Sequence, residues 1–134
     1  MKKFIFYVSL LFSLQSCIWY LFPDINVNIC IENMSGKDIF YTCLVVSKES
    51  NFSSSDFEPY AFEKIPDSSK IYRPEIMEKY ELKYKNLHFL FIDETVFENE
   101  GIDKILRDSS LWYKHIIIHS EAELKSINNT IIVK

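Results

Sequence analysis

Polar and apolar side chains alternate along residues 25–32. A period of two is typical of a strand with one buried face, so we predict a strand there. The segment 35–38 is Ser-Gly-Lys-Asp, and Gly36 suits the first central position of a two-residue type II′ turn. A second strand is predicted over residues 39–47. We therefore expect these two strands to form an antiparallel hairpin.

Later segments alternate between short strand patterns and short helix patterns. Residues 87–92 are almost wholly apolar, which predicts a central strand covered on both faces. Further short strands are predicted over residues 60–65, 70–73, 113–118 and 130–133. Single helical turns or short helices are predicted over residues 75–79, 94–97, 102–107 and 121–127.

Local signals support the ends of two of these helices. Pro74 suits the first position of the helical turn over residues 75–79. Ser120 and Glu123 match a capping box, in which each side chain satisfies a backbone donor. Asn128 or Asn129 suits the left-handed position that follows the last helix.

The order of these elements predicts the fold class. About seven short strands are followed by two or three short helices towards the C-terminus, which argues against a parallel α/β sheet. The eleven Phe and eight Tyr residues favour strands, and only two Gly and four Pro argue against extensive disorder. We predict a mainly β protein, an antiparallel β-sandwich with short helices. The alternative is an α+β sheet covered on one face.

The N-terminal segment has the pattern of a secretory signal. Lys2 and Lys3 precede an apolar stretch over residues 4–14, and small residues follow it. The segment 14–17, Leu-Gln-Ser-Cys, resembles the lipobox of bacterial lipoproteins. That resemblance implies cleavage before Cys17 and attachment of a diacylglycerol to its thiol, with acyl chains such as palmitate. The predicted organisation is then a signal peptide over 1–16, a lipidated cysteine and tether over 17–24, and one β-rich domain over 25–134.

An uncleaved membrane anchor is the alternative for the same segment. Residues 4–22 are nineteen in number, close to the ~20 that cross a bilayer. Both interpretations place the chain from residue 23 onwards outside the cytoplasm, because Lys2 and Lys3 hold the N-terminus inside. Residues 18–22 are apolar and uncharged, whereas some surface-exported lipoproteins carry an acidic signal there. We therefore expect a lipid anchor in the inner or outer membrane that faces the periplasm.

Charge argues against some partners. The formal net charge is −4 and becomes more negative once Lys2 and Lys3 are removed with the signal. A nucleic acid or an anionic lipid surface would favour a basic protein, so we predict no nucleic-acid partner. The expected partners are the membrane, through the lipid, and an envelope protein or a glycan.

The two remaining cysteines suggest a disulfide. In the predicted hairpin Cys30 lies opposite Cys43 at a non-hydrogen-bonded pair, whose side chains are close. An extracytoplasmic location permits oxidation. The alternative is that both are buried thiols that pack as small apolar side chains.

The three histidines do not predict a metal site. His115 and His119 lie on a predicted strand, where residues four apart are about 13 Å from one another along the chain. A single zinc ion needs ligands much closer than that. His88 lies in an apolar strand and is predicted to be a hydrogen-bonded core or interface residue.

Carboxylates at the end of the central strand are candidate catalytic groups. Asp93 and Glu94, with Glu98 and Glu100 nearby, include a pair of the type that hydrolyses glycans. Acidic residues at a strand end and helix start are more often helix caps. The chain also lacks a Gly-x-Ser-x-Gly motif. We therefore predict no catalytic residue and no cofactor.

A serine-rich segment carries four aromatic residues, which form a candidate binding loop: Phe52, Phe57, Tyr60 and Phe62. Exposed aromatic side chains on a loop suit a glycan or protein partner. The favoured interpretation is instead a small apolar cluster that holds a long loop against the sandwich.

Short motifs along the chain resemble a group of small predicted lipoproteins of unknown function from Bacteroidetes-type bacteria. The motifs are Asn33-Met34-Ser35 after the first strand, Asp38-Ile39-Phe40-Tyr41, the apolar segment 89–95 that ends in Asp-Glu-Thr, Ser120 to Leu124, and residues 128–132. The resemblance implies an extracytoplasmic location and this fold. It implies no activity.

Together these features predict a membrane-anchored extracytoplasmic lipoprotein. Its β-domain is expected to be non-catalytic, with a binding or envelope-accessory role. Two alternatives are a small envelope hydrolase that acts on glycans and an inhibitor or immunity-type protein.

Overall fold

The computed structural model describes residues 26–59, 61–76 and 82–134. The predictions for the signal peptide, Cys17, the alternative anchor over 4–22 and Tyr60 lie outside these residues. The strands are β1 (Asn26–Asn33), β2 (Ile39–Ser47), β3 (Glu63–Ile65), β4 (Lys70–Ile76), β5 (Lys85–Asp93), β6 (Lys114–Ile118) and β7 (Thr130–Val133). The α-helices are α1 (Glu94–Asn99), α2 (Ile102–Arg107) and α3 (Glu121–Ser126).

Two sheets make the fold mainly β, as the sequence predicted. Sheet A has the strand order β4-β1-β7, and sheet B has the order β3-β2-β5-β6. All described strand pairs are antiparallel except β1 with β7, which is parallel. Apolar side chains between the two sheets form the larger core, so the architecture is a sandwich.

The predicted β1–β2 hairpin is wrong. β1 pairs with β4 and β7 in sheet A, whereas β2 pairs with β3 and β5 in sheet B. The segment between β1 and β2 therefore crosses from one sheet to the other as an arch. The segment between β3 and β4 crosses back at the same end, because Ile39 pairs with Ile65 while Glu32 pairs with Lys70.

The two arches hold each other through side chains. Asp67 accepts a hydrogen bond from the backbone N–H of Gly36 at 3.0 Å, and Asp38 accepts one from the backbone N–H of Asp67 at 2.9 Å. Gly36 has φ +78°, a left-handed conformation that glycine adopts without steric cost. The glycine thus serves a turn, as predicted, but its backbone N–H bonds to the neighbouring arch instead of a hairpin partner.

Asn33 organises the first arch from a fully buried position. Its amide nitrogen donates to the carbonyl of Lys37 at 2.8 Å and to that of Ile65 at 3.0 Å. Its carbonyl oxygen accepts from the backbone N–H and the hydroxyl of Ser35, at 3.1 and 2.7 Å. One side chain therefore joins the end of β1, the turn and the end of β3.

The core between the sheets follows from the alternation in the sequence. Ile29 and Ile31 of β1 point inwards with Ile131 and Val133 of β7, and all four are at most 2% exposed. Sheet B contributes alternate residues of β2 and β5, and Leu124 of α3 completes one side. The intervening residues of β1, Asn28, Cys30 and Glu32, therefore lie on the outer face of sheet A.

Sheet B is covered on both faces. A second apolar cluster lies on its far side, under α2 and the loop after β2, and contains Phe57, Leu90, Ile92, Ile105 and Leu106. Six consecutive residues of β5 are buried, from Leu87 to Ile92. The prediction of a central strand covered on both faces is confirmed.

The C-terminal end of the chain also matches its prediction in most respects. Ser120 caps α3 by accepting a hydrogen bond from the backbone N–H of Glu123. The Glu123 carboxylate accepts from the backbone N–H of His119, one residue before the cap. Asn128 and Asn129 both adopt left-handed conformations, with φ 52° and 54°.

The predicted helical turn after Pro74 is wrong over the part that the structure describes. Pro74 lies inside β4, which continues to Ile76. β4 is at the edge of sheet A, where the missing N–H of a proline is tolerated. The remaining residues of that predicted turn, 77–79, lie outside the described residues.

Candidate functional site

Of the aromatic residues in the candidate binding loop, the three that the structure describes pack against the protein. Phe57 is only 1% exposed, and Phe52 and Phe62 are partly buried against the second apolar cluster. Phe57 therefore lacks the exposure that the binding-loop hypothesis assumed, whereas a binding role for Phe52 and Phe62 stays a prediction. The favoured alternative, a cluster that holds the loop against the sandwich, is confirmed for all three. Tyr60 is outside the described residues.

Two histidines form a hydrogen-bonded pair beneath this loop. His88, only 3% exposed, lies 3.1 Å from His115 between Nδ1 and Nε2. The Phe52 ring stacks on His88 at 4.3 Å, and Trp112 meets His115 edge-on at 5.4 Å. The prediction that His88 is a hydrogen-bonded core residue is confirmed.

Burial lowers the pKa of both rings, and for His88 the neighbouring His115 and His119 lower its pKa further. Both rings are therefore neutral near pH 7, so that one nitrogen donates and the other accepts. Among the described residues, no group of three or more His, Cys, Asp or Glu side chains is placed to hold a metal ion.

The histidine pair predicts acid-sensitive stability. Because the folded state binds protons at these rings less readily than the unfolded state, the free energy of unfolding should fall as pH drops below about 6.5. Urea denaturation at several pH values between about 5 and 7 measures this free energy. That pH range lies above the range in which carboxylates with ordinary pKa values titrate. The variant carrying His88→Gln and His115→Gln should lose the slope. An equal slope in both proteins would contradict the prediction.

The carboxylates that were weighed for catalysis have structural partners. Asp93 caps α1 by accepting a hydrogen bond from the backbone N–H of Thr95 at 2.8 Å. It also pairs with Lys37, whose ammonium lowers the pKa of the Asp93 carboxyl. Glu94 pairs with Lys64, which also binds Asp38 at 2.9 Å. This network fastens α1 to the first arch and to β3.

The predicted Cys30–Cys43 disulfide is not formed. The prediction required Cys30 and Cys43 to face each other in a β1–β2 hairpin. Instead, β1 lies in sheet A and β2 lies in sheet B. Cys30 pairs across sheet A with Tyr72 and Thr130, and Cys43 pairs across sheet B with Phe89. Cys43 packs against the core between the sheets, whereas Cys30 lies on the outer face of sheet A.

That outer face contains an open cleft of about 340 Å³, which we call the outer groove. Its central row contains Cys30 of β1, flanked by Tyr72 of β4 and Thr130 of β7. The adjacent row contains Glu32 and Lys70, which also pair across the sheet. Because side chains two apart on a strand share a face, these rows line the same surface.

Asparagine amides border the outer groove. Asn28 lies two residues before Cys30 on β1, and Asn128 and Asn129 come from the turn between α3 and β7. The backbone carbonyl of Asn129 accepts a hydrogen bond from the backbone N–H of Cys30 at 2.8 Å, which fixes this turn against β1. The left-handed turn thus places an amide at the end of the groove.

Tyr72 is the most exposed large apolar side chain among the described residues, with 72% of its surface accessible. A singly exposed aromatic residue is ordinary on a protein surface. Here, however, the ring stands at the edge of a cleft whose other walls are polar. That combination can bind a ligand that has both an apolar face and hydrogen-bonding groups.

The charges in the outer groove balance. Lys70 lies 3.1 Å from Glu32, and this carboxylate raises the pKa of the Lys70 ammonium. The two opposite charges of the pair offset each other in the part of the groove that the structure describes. Sequence inspection missed this site. Residues 70–73 are Lys-Ile-Tyr-Arg, which do not alternate between polar and apolar, so the local sequence gives no signal that Tyr72 faces solvent.

Comparison with known proteins gave no match to a protein-family model, to a curated protein or to a solved structure. Of the helices in the described residues, none has the length and apolar character to span a membrane.

Proposed function

We propose that this protein is a lipid-anchored extracytoplasmic binding protein whose non-catalytic β-domain holds its ligand in the outer groove. The observation that carries the proposal is the open face of sheet A, where exposed Tyr72 adjoins a polar cleft of about 340 Å³. A cleft with one aromatic wall and several polar groups is a common form of binding site.

The anchor rests on the N-terminal sequence. A basic start, an apolar stretch and Leu-Gln-Ser-Cys are the order of features in a lipoprotein signal. Two or more acyl chains on Cys17 hold a protein firmly on a membrane without a spanning helix. The periplasmic side of the inner or outer membrane is the proposed location.

The non-catalytic role is supported by the partners of the acidic residues. Asp93 and Glu94 form ion pairs with lysines, and Asp93 also caps a helix. A carboxyl group that donates a proton in hydrolysis needs a raised pKa, whereas that of Asp93 is lowered. Asp93 is therefore unsuited to the role of proton donor, which supports the non-catalytic proposal.

The intact mass of the protein tests the anchor. We expect protein extracted with detergent from bacterial membranes to have the mass of residues 17–134 plus acyl groups. The Cys17→Ser variant should keep the unprocessed mass, because it lacks the thiol that accepts the lipid. An unprocessed mass for the wild-type protein would contradict the anchor and favour the uncleaved segment over residues 4–22.

A further inference from the structure

We propose that the outer groove binds a neutral glycan through one or two of its pyranose rings, with Tyr72 as the stacking platform. The proposal rests on the proposed binding function and names its ligand class. It does not depend on the lipid anchor.

The ring of Tyr72 suits the apolar face of a sugar. A pyranose exposes several axial C–H groups on one side, and these pack against the negative face of an aromatic ring. Tyr72 is 72% exposed and pairs with Cys30 in the middle of sheet A. Its position on a strand rather than on a loop fixes the backbone that carries the ring.

The polar groups around Tyr72 suit the hydroxyl groups of the same sugar. Asn28 and Asn128 are both exposed, and each amide both donates and accepts hydrogen bonds. The Thr130 hydroxyl donates to the backbone carbonyl of Asn128 at 3.2 Å and keeps acceptor capacity towards the groove. A sugar hydroxyl likewise donates and accepts, so these groups complement one another.

The charge balance decides between a neutral ligand and a charged one. Lys70 is the one basic residue among the described residues that line the groove, and it pairs with Glu32. The Glu32 carboxylate would repel an anionic ligand, and the Lys70 ammonium would repel a cationic ligand. A peptide anchored by an apolar side chain would need an apolar pocket, but most of the other walls here are polar.

The size of the groove limits the contact to a short segment of glycan. Its volume of about 340 Å³ is at the low end for ligand pockets, which are roughly 300–1,000 Å³. That leaves room for one or two rings and implies weak binding of a single segment. A dissociation constant of about 1 mM is therefore expected for a disaccharide.

Saturation-transfer NMR on the full-length protein tests this, in a detergent without a sugar headgroup. The probes are cellobiose, maltose, lactose and N,N′-diacetylchitobiose, each titrated to about 10 mM. We expect at least one to bind, with transfer strongest to the protons of the ring that covers Tyr72. Binding should be unchanged by added salt, because neither partner carries net charge in the contact.

Three variants identify the platform. Tyr72→Ala should weaken the dissociation constant at least about tenfold, whereas Tyr72→Phe should stay within about threefold because it keeps the ring. Tyr84→Ala is the matched control, since Tyr84 is 58% exposed and does not line the groove. Circular dichroism of each variant checks that it is folded.

A second measurement does not depend on substitution. Acetylation of tyrosine hydroxyls with N-acetylimidazole, followed by mass spectrometry, should label both Tyr72 and Tyr84 because both are exposed. The bound disaccharide should protect Tyr72 alone.

Several results would overturn the proposal: no binding to any of the four disaccharides, equal binding by Tyr72→Ala, or tighter binding of a sulfated disaccharide that salt abolishes. None of these would change the intact mass, so a failure of the glycan proposal and a failure of the lipid anchor are separate results.

Discussion

Replacing Asn33 with alanine should lower the free energy of unfolding by about 3–4 kcal/mol, because buried partners lose their hydrogen bonds. The carbonyl of Ile65 has its bond to Asn33 in a buried environment, and Ser35 loses an acceptor for its backbone N–H. Alanine also leaves space where the amide was. Small domains are stable by only about 5–15 kcal/mol, so urea denaturation will resolve this loss.

Asn28→Ala is the matched control for that measurement. Asn28 is exposed on the same strand, and its replacement should change stability by less than about 0.5 kcal/mol. Ser35→Ala removes only the hydroxyl that binds the amide oxygen of Asn33, so an intermediate loss is expected. If Asn33→Ala were as stable as Asn28→Ala, Asn33 would not organise the arch.

Replacing Phe57 with alanine should cost about 3–5 kcal/mol, the usual range for a buried phenylalanine. Phe57 is 1% exposed and packs in the cluster that includes Leu90 and Ile105. It also meets the Phe52 ring edge-on at 5.7 Å. The loop after β2 should therefore loosen, and limited proteolysis should cut it between residues 48 and 62 in the variant before the wild-type protein.

Glu58→Ala tests whether this effect belongs to the ring. Glu58 is the next residue and is exposed, so its replacement should leave both stability and the cleavage rate nearly unchanged. A stable Phe57→Ala protein with an intact loop would show that the cluster does not hold this segment in place.

Elements with a strong local pattern could be predicted from the sequence. β2, α2 and β7 have the predicted bounds, because apolar periodicity and turn residues act over a few neighbours. The β1–β2 hairpin could not be distinguished from an arch in the same way. Ser-Gly-Lys-Asp suits both, and the choice depends on Asp67 and Ile65, which lie about thirty residues further along the chain.

The outer groove could not be predicted for a related reason. Its residues come from β1, β4, β7 and the turn before β7, so they meet only when the order of strands in sheet A is known. Cys30 was noticed, but the wrong hairpin gave it the wrong neighbour. In the local pattern Tyr72 is one aromatic residue of a short strand, and only the sheet shows that it faces solvent.

The parallel pairing of β1 with β7 has a consequence for the order of folding. β1 is the first strand of the domain and β7 the last, so they are separated by about a hundred residues, and closing so long a loop is slow. During synthesis β1 is made before β7. The edge of β1 that pairs with β7 therefore stays unpaired until β7 has been made. An unpaired edge is a template for association with another chain. Deletion of β7 should therefore promote aggregation of newly made protein, because β1 would keep its unpaired edge.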